Sequence, residues 1–459
     1  MYTLSVNNCQ YNDYNMPKAQ KATLAKKADA PQNAPKPVFT SNPIINQVPF
    51  NGALTASKLR TELISKDEIA KYGELANMLD KDTKKKLTYL LKTGALLNSD
   101  SNDNSTTLDN LYLLATTPRA QGLNNQVLLI ETIETLADPH IVTQQFGNIP
   151  KQYLQNATVL ANGNDPNVEH SGTCPAASIE FTLADKRPAE FARFAQGLSS
   201  PEMSVSKTMK LSNLADNTLD AVWLLNAFEI PYEANNFNEA KLKFAPDKNA
   251  IVRAHIQTVD RDKSERSSLD VLMQSTFMQI GSQQSYDTLT DKRAGKFNQN
   301  DKGLIEFEKT FTESVVDDKN KVSVTYQTVD ENGKLVGYET DIKTMKRQIK
   351  DALDMGENII IGYTLVDESN IIINGHEITI TGYKVDKNGK MSLICNDTDD
   401  GVSKPVVYSE DYLLPKIHHA TFPQEIVKND MTVTENWVEG IRSYQEMKKN
   451  GVRNDYKDK

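Results

Sequence analysis

Between residues 51 and 157, apolar side chains recur every three or four positions, which is the period of an α-helix. The capping-box spacing of Ser65 and Glu68 predicts the start of one helix. Gly94 predicts the end of the helical stripe that follows, because glycine readily adopts the left-handed conformation found just after a helix. A further helix is predicted over residues 125–137. We therefore expect residues 51–157 to form a small all-helical domain.

Farther along the chain the pattern changes from helical to extended. Helical periodicity continues after residue 174 over four stretches, which are 175–185, 189–197, 219–228 and 268–280. After residue 320, apolar and polar residues alternate with period two, which is typical of strands with one buried face. Asn-Gly pairs at Asn332 and Asn388 predict tight hairpin turns. Helices followed by hairpin-linked strands predict an α+β fold.

The two ends of the chain differ from this middle part. Residues 1–50 hold six prolines and few large apolar side chains. Such a segment cannot bury enough apolar surface to offset the entropy of ordering it, so we predict a disordered arm. Residues 436–459 are predicted to be a charged tail.

Composition adds limits on partners and location. At 459 residues the chain is longer than one domain with a single hydrophobic core usually is, so we expect two or three domains. The net charge of −9 argues against nucleic acid or an anionic membrane as a partner, because phosphates demand a basic surface. No apolar run approaches the roughly 18 residues that span a bilayer, and no ordinary secretory signal is visible. We expect a cytoplasmic protein, or one exported without an ordinary signal peptide.

Cysteine and histidine content argues against structural metal sites and a disulfide framework. The three cysteines suit a reducing compartment. None of the six histidines is paired with cysteines at zinc-ligand spacing, so no metal and no cofactor are predicted. The doublet His418-His419 would point to opposite faces of an extended strand.

Cys174 has the setting of a nucleophile. Pro175 follows it, and proline is favoured in the first turn of a helix. Cys174 is therefore predicted at a helix N-terminus, with Thr173 or Ser171 near the cap. Free N–H groups and the helix dipole would lower the thiol pKa from its usual value of about 8.5. The Cys174 N–H itself could donate to an oxyanion.

His376 has the setting of a general base. It stands where a turn becomes a strand, and a hairpin joins that strand to residues 391–396. Asn396 is therefore predicted beside His376 across the sheet, where its amide oxygen would orient the imidazole. Asp397 is the alternate orienter, because a one-residue slip in register exchanges the faces of the strand.

These residues resemble the papain-like cysteine peptidases. That family places its nucleophile at the start of a long central helix, and its histidine on a strand that ends in Gly-Tyr. A paired strand then ends in asparagine. The corresponding residues are Cys174, the segment from Gly375-His376 to Gly382-Tyr383, and Asn396. The resemblance implies a papain-like catalytic domain over residues 158–435, with a helical half, an antiparallel β half and insertions around 200–340.

The sequence departs from the family on the oxyanion side. The family usually has a glutamine six residues before the cysteine, where this chain has Val168. The candidates for the second oxyanion donor are Asn162, Asn164, Asn167 and Gln155. Residues 51–157 occupy the place of the family's propeptide, and they could equally be an interaction region.

The leading hypothesis is a cysteine-dependent hydrolase that cleaves peptide or protein substrates. Cys174 would attack the peptide carbonyl, His376 would accept and return the proton, and Asn396 would orient the ring. A second hypothesis is a transglutaminase-like acyl transferase or deamidase, which would use Asp397 as the orienter. The third is a non-catalytic protein that uses a papain-like scaffold for interaction. The sequence predicts no oligomeric state.

Overall fold

The computed structural model describes residues 59–145, 171–234, 236–259, 265–293, 303–330, 332–399, 404–430 and 441–442. In this part of the chain the fold is α+β with antiparallel sheets. The chain divides into two compact units. The helical unit contains the described residues from 59 to 321 together with 398 and 399, and the sheet unit contains Val322–Asp397 and the described residues from 404 onward.

The helical unit is built mainly from α-helices. Its helices are α1 (Lys66–Met78), α2 (Lys81–Thr93), α3 (Thr107–Thr116), α4 (Asn125–Ala137), α5 (Cys174–Lys186), α6 (Pro188–Leu198), α7 (Thr218–Ala227), α8 (Ala250–Val259), α9 (Ser268–Gly281) and α10 (Glu306–Asp317). It also contains a small antiparallel sheet of order β1-β3-β2, whose strands are β1 (Val205–Lys210), β2 (Tyr232–Ala234) and β3 (Glu239–Phe244).

Local sequence signals explain where the first helices begin and end. The Ser65 hydroxyl accepts a hydrogen bond from the Glu68 N–H, and the Glu68 carboxylate accepts one from the Ser65 N–H, so the predicted capping box is confirmed. Asp80 caps a second helix, and the single helical stripe is therefore broken into α1 and α2. Gly94 ends α2 with a φ of +83°, as predicted.

The helices of residues 59–145 share a compact unit with α5 and α6. The Asn102 N–H donates to the Glu190 carboxylate at 2.9 Å, and the Arg119 guanidinium donates to the Gln196 carbonyl at 2.7 Å. Helix α3 packs on α6, and α4 packs on α9. The predicted boundary at residue 157 lies outside the described residues.

The sheet unit is organised around a six-stranded sheet of order β10-β9-β8-β7-β11-β4. The strands of this unit are β4 (Lys321–Thr325), β5 (Gln327–Val329), β6 (Leu335–Tyr338), β7 (Ile359–Val366), β8 (Ile372–Val385), β9 (Met391–Asn396), β10 (Val406–Ser409) and β11 (Ile417–Pro423). Lys321, the first residue of β4, lies on the helical-unit side of the boundary. Helix α11 (Ile342–Asp354) packs on β7 and β8, and the short helices α12 (Glu410–Leu413) and α13 (Gln424–Val427) follow later in the chain.

His376 lies inside β8 rather than at its start. The strand begins at Ile372, and Gly375 and Asn374 already pair with Thr364 and Leu365 of β7. Residues 371–373 are all isoleucine, which favours a strand, but the Asn374-Gly375 pair that follows them is typical of a turn and hides the continuation of the strand into His376.

None of the described helices is long and apolar enough to cross a membrane. The predicted arm and most of the predicted tail lie outside the described residues, which begin at 59 and include only 441 and 442 of the tail.

Candidate functional site

Cys174 is the first residue of α5, and Thr173 occupies the N-cap position. Pro175 stands in the first turn, as the sequence predicts. The Thr173 side chain makes no capping hydrogen bond to this helix end, and the N-terminus of a helix is where negative charge on a nearby sulfur is stabilised. Every residue from Cys174 to Ala184 is buried. The helix is therefore an interior element with its sulfur-bearing end anchored in the core.

The sulfur of Cys174 is disulfide-bonded in this structure. Cys395 of β9 is instead a free and fully buried thiol, and burial raises its pKa well above the usual value. Cys9, the third cysteine of the sequence, lies outside the described residues. A nucleophilic role for Cys174 therefore requires a reduced form of the protein, because only the thiolate attacks a carbonyl.

His376 is held by a carboxylate within the sheet unit. Its Nε2 atom lies 2.7 Å from Oδ1 of Asp397. His376 is 6% exposed, and the ring of Tyr363 on β7 meets the imidazole edge-on at 5.8 Å between centroids. An imidazole fixed through Nε2 presents Nδ1 as the nitrogen for proton transfer.

Asn396 does not take the position predicted for it beside His376. The β8–β9 register pairs Asn396 with Thr379 and Cys395 with Ile380. One further step places Asp397 opposite Ile378, which makes Asp397 the diagonal neighbour of His376 on the same face of the sheet. Asn396 points to the other face, where its buried Nδ2 has no hydrogen-bond partner among the described residues.

An irregularity in the strand pairing decides between these two residues. The register shifts by one residue between Ile380 and Gly382 of β8. Because strand side chains alternate, this shift carries Asp397 onto the face of His376 and carries Asn396 off it. Without it, Asn396 would lie opposite Ile380, on the histidine's face.

The candidates for the second oxyanion donor lie outside the described residues. Asn162, Asn164, Asn167 and Gln155 all fall between residues 146 and 170, as does Val168. Of the groups considered for the oxyanion, the backbone N–H of Cys174 is the one on a described residue.

A second histidine cluster, which the sequence did not predict, lies in the sheet unit. The register of β11 against β7 shifts between Ile417 and His419, and Nδ1 of His418 lies 3.0 Å from Nδ1 of His419. The two rings therefore meet, whereas a regular strand would have separated them as predicted. Nε2 of His419 also lies 2.9 Å from Oε1 of Glu377, and all three residues are buried.

Imidazole and carboxylate are donors that zinc accepts. His418 and His419 each offer a ring nitrogen that a metal ion could use, and both residues are buried.

The structure thus brings His376 and Asp397 together in the sheet unit and places Cys174 at a helix start in the helical unit. Comparisons of the chain with protein-family models, with curated proteins and with solved structures find no significant match.

Proposed function

We propose that the protein is a cysteine-dependent hydrolase of the papain-like type that cleaves peptide bonds. Cys174 would be the nucleophile, His376 the general base and Asp397 the orienter of the imidazole. The observation that carries this proposal is the 2.7 Å contact between His376 and Asp397, because a buried imidazole fixed by a carboxylate is suited to proton transfer.

In the proposed mechanism, each step of peptide hydrolysis is carried out by a named group of the protein. The Cys174 thiol passes its proton to Nδ1 of His376, and the sulfur attacks the peptide carbonyl carbon. The Cys174 N–H donates to the oxyanion that forms. The C–N bond then breaks as the imidazolium returns its proton to the leaving amine. A water molecule, deprotonated by His376, cleaves the thioester and restores the thiol.

Asp397 supports this sequence through charge as well as position. The imidazole becomes positively charged when it takes the thiol proton, and a carboxylate 2.7 Å away stabilises that charge. An asparagine in the same place would orient the ring without this electrostatic contribution.

The experiment combines thiol labelling with removal of the base. The reduced full-length protein is treated at neutral pH with a thiol-directed epoxide of the kind that inactivates cysteine peptidases, and the label is located by peptide mapping. We expect rapid labelling of Cys174 in the wild type and slow labelling in His376→Ala. His255→Ala is the matched control, because His255 is bonded to the Gly122 carbonyl in the helical unit.

If the wild type cleaves a peptide mixture and Cys174→Ser does not, the protein is a peptidase with Cys174 as its nucleophile. Failure of Cys174 to label after reduction would contradict it and favour a non-catalytic interaction protein. Equal labelling rates in the wild type and His376→Ala would show that His376 does not activate the Cys174 thiol as a general base.

A transglutaminase-like acyl transfer or deamidation is the second candidate function. The observation that favours it is the identity of the orienter, since that reaction uses a cysteine, a histidine and an aspartate. The discriminating measurement supplies a glutamine-containing peptide together with a primary amine. Incorporation of the amine, or loss of ammonia without backbone cleavage, would favour acyl transfer or deamidation over peptidase activity.

A further inference from the structure

The three residues that precede Cys174 are buried, and side chains from distant parts of the helical unit hold them. The Ser171 hydroxyl donates to Oδ1 of Asp291 at 2.7 Å, and the Gly172 N–H donates to Oδ2 of the same carboxylate at 2.8 Å. The Thr173 hydroxyl donates to Oε1 of Gln274 on α9 at 2.9 Å. The entry to α5 is therefore fixed by contacts that lie more than one hundred residues away in sequence.

Asp291 is fully buried, and it accepts a further hydrogen bond besides those from Ser171 and Gly172. The Tyr286 hydroxyl donates to its Oδ1 at 2.7 Å. Burial, and then the charge of Asp291, raise the pKa of Tyr286 well above its usual value, so the tyrosine keeps the proton it donates. Positive charge is also close: Arg253 and Arg266 are both buried and interact electrostatically with this group of residues.

These bonds also occupy the backbone donors just before the sulfur. The Gly172 N–H donates to Asp291, and the Thr173 N–H donates to the Ser171 hydroxyl at 3.2 Å. The Asp291 carboxylate therefore fixes the backbone that leads into Cys174.

We propose that Asp291 is a positioning residue, which holds the Ser171–Gly172 backbone so that the Cys174 sulfur stays at the N-terminus of α5 in its reactive orientation. This proposal rests on the proposed function of Cys174 as a nucleophile. Asp291 would not touch the substrate, and its effect would reach the reaction through the placement of the thiol.

The test compares Asp291→Asn with Asp247→Asn. The first variant keeps one acceptor oxygen but replaces the other with an NH₂ group, so it cannot accept from both the Ser171 hydroxyl and the Gly172 N–H as the carboxylate does. Asp247 is a buried aspartate of the same unit that accepts from Ser275, Asn249 and Thr288, none of which adjoins Cys174. It controls for the general cost of losing a buried carboxylate.

The readout is the rate at which iodoacetamide alkylates Cys174 in the reduced full-length protein, measured across pH by mass spectrometry. We expect Asp291→Asn to slow alkylation at neutral pH at least tenfold, and Asp247→Asn to change it less than twofold. Removing a negative charge would by itself favour the thiolate and speed the reaction. A slower reaction therefore reports lost positioning rather than a changed field.

Ser171→Ala provides a second, milder variant in case Asp291→Asn does not fold. It removes one of the bonds to Asp291 and leaves the carboxylate in place, and we expect a smaller decrease in the alkylation rate of about threefold. Wild-type rates in Asp291→Asn and Ser171→Ala, or an equal decrease in Asp247→Asn, would overturn the proposal. Alkylation needs no substrate, so a slowed thiol in a protein that cleaves no peptide would contradict the proposed function while leaving the positioning role intact.

Discussion

His376 and Asp397 are diagonal neighbours on one face of the sheet, with Nε2 and Oδ1 2.7 Å apart. The shifted register between Ile380 and Gly382 creates this relationship, since it changes which of two consecutive residues faces the imidazole. The choice between an amide and a carboxylate orienter is thus made by backbone pairing rather than by the residue types available.

Asp397→Asn is expected to reduce kcat far more than Asn396→Ala. The first change removes the charge that balances the imidazolium and leaves at most an amide to orient the ring, and the largest loss expected is on the order of 10⁴-fold, as in hydrolytic triads. Asn396 faces away from His376, so its truncation should cost less than about tenfold. The measurement is steady-state peptide hydrolysis by the reduced protein. A larger loss in Asn396→Ala would restore the asparagine as the orienter.

Activity is expected to require a reductant. Cys174 is disulfide-bonded, and a thiol reagent must convert that bond to a free thiolate before attack on a carbonyl is possible. Hydrolysis or epoxide labelling measured with and without dithiothreitol checks this directly. Full activity of a protein in which mass spectrometry still finds the disulfide would contradict the nucleophilic role.

Glu190→Gln is expected to destabilise the helical unit in a pH-dependent way. Burial alone would raise the pKa of Glu190, but the hydrogen bond from Arg193 and the charge of Lys207 outweigh it and lower the pKa to about 2. A carboxyl whose pKa falls on folding adds stability above its unfolded value, and it loses that stability as the pH falls toward its folded value. The variant should therefore lose up to about 3 kcal/mol of unfolding free energy at neutral pH.

The difference between wild type and Glu190→Gln should shrink as the pH falls from about 4.5 toward 2. Lys207, whose pKa burial lowers to about 8, stays charged throughout that window. Urea unfolding at a series of pH values gives the two free energies. A difference that does not change with pH would mean that the Glu190 charge contributes nothing.

Gly362→Ala is expected to destabilise the sheet unit by about 1–3 kcal/mol. An added Cβ would overlap the ring of His419 and lie 2.8 Å from Oε1 of Glu377, in a part of the sheet where both residues are buried. Gly337→Ala is the matched control, because nothing lies within 4 Å of the Cβ position there. Equal unfolding midpoints for the two variants would show that the His419 ring moves aside freely.

Much of the secondary structure could be predicted because its signals are local. The capping residue Ser65, the glycine at 94 and the Asn-Gly turn at 388 act through bonds within a few residues of themselves. Helix α10 was not predicted, because its buried face carries charged side chains such as Glu308 and Glu313 in place of an apolar stripe. Arg293 and Lys321 pair with them, and those partners are set by tertiary structure.

The geometry of the candidate site likewise depends on features that the local sequence does not reveal. The histidine, the cysteine and both possible orienters were visible as residues, but the register that selects Asp397 depends on a one-residue shift inside β8. The meeting of His418 and His419 likewise depends on an irregularity in β11. Asp291 gave no signal, because the residues it holds lie about 120 positions away in the chain.

The reactivity of the Cys395 thiol indicates whether the sheet that contains it is folded. This thiol is fully enclosed in β9, and burial keeps it protonated well above neutral pH. A thiol reagent should therefore not alkylate Cys395 while the sheet is folded, and should alkylate it once the strands separate. Any alkylation experiment on Cys174 thus records, in the same mass spectrum, whether the sheet unit was folded when Cys174 reacted.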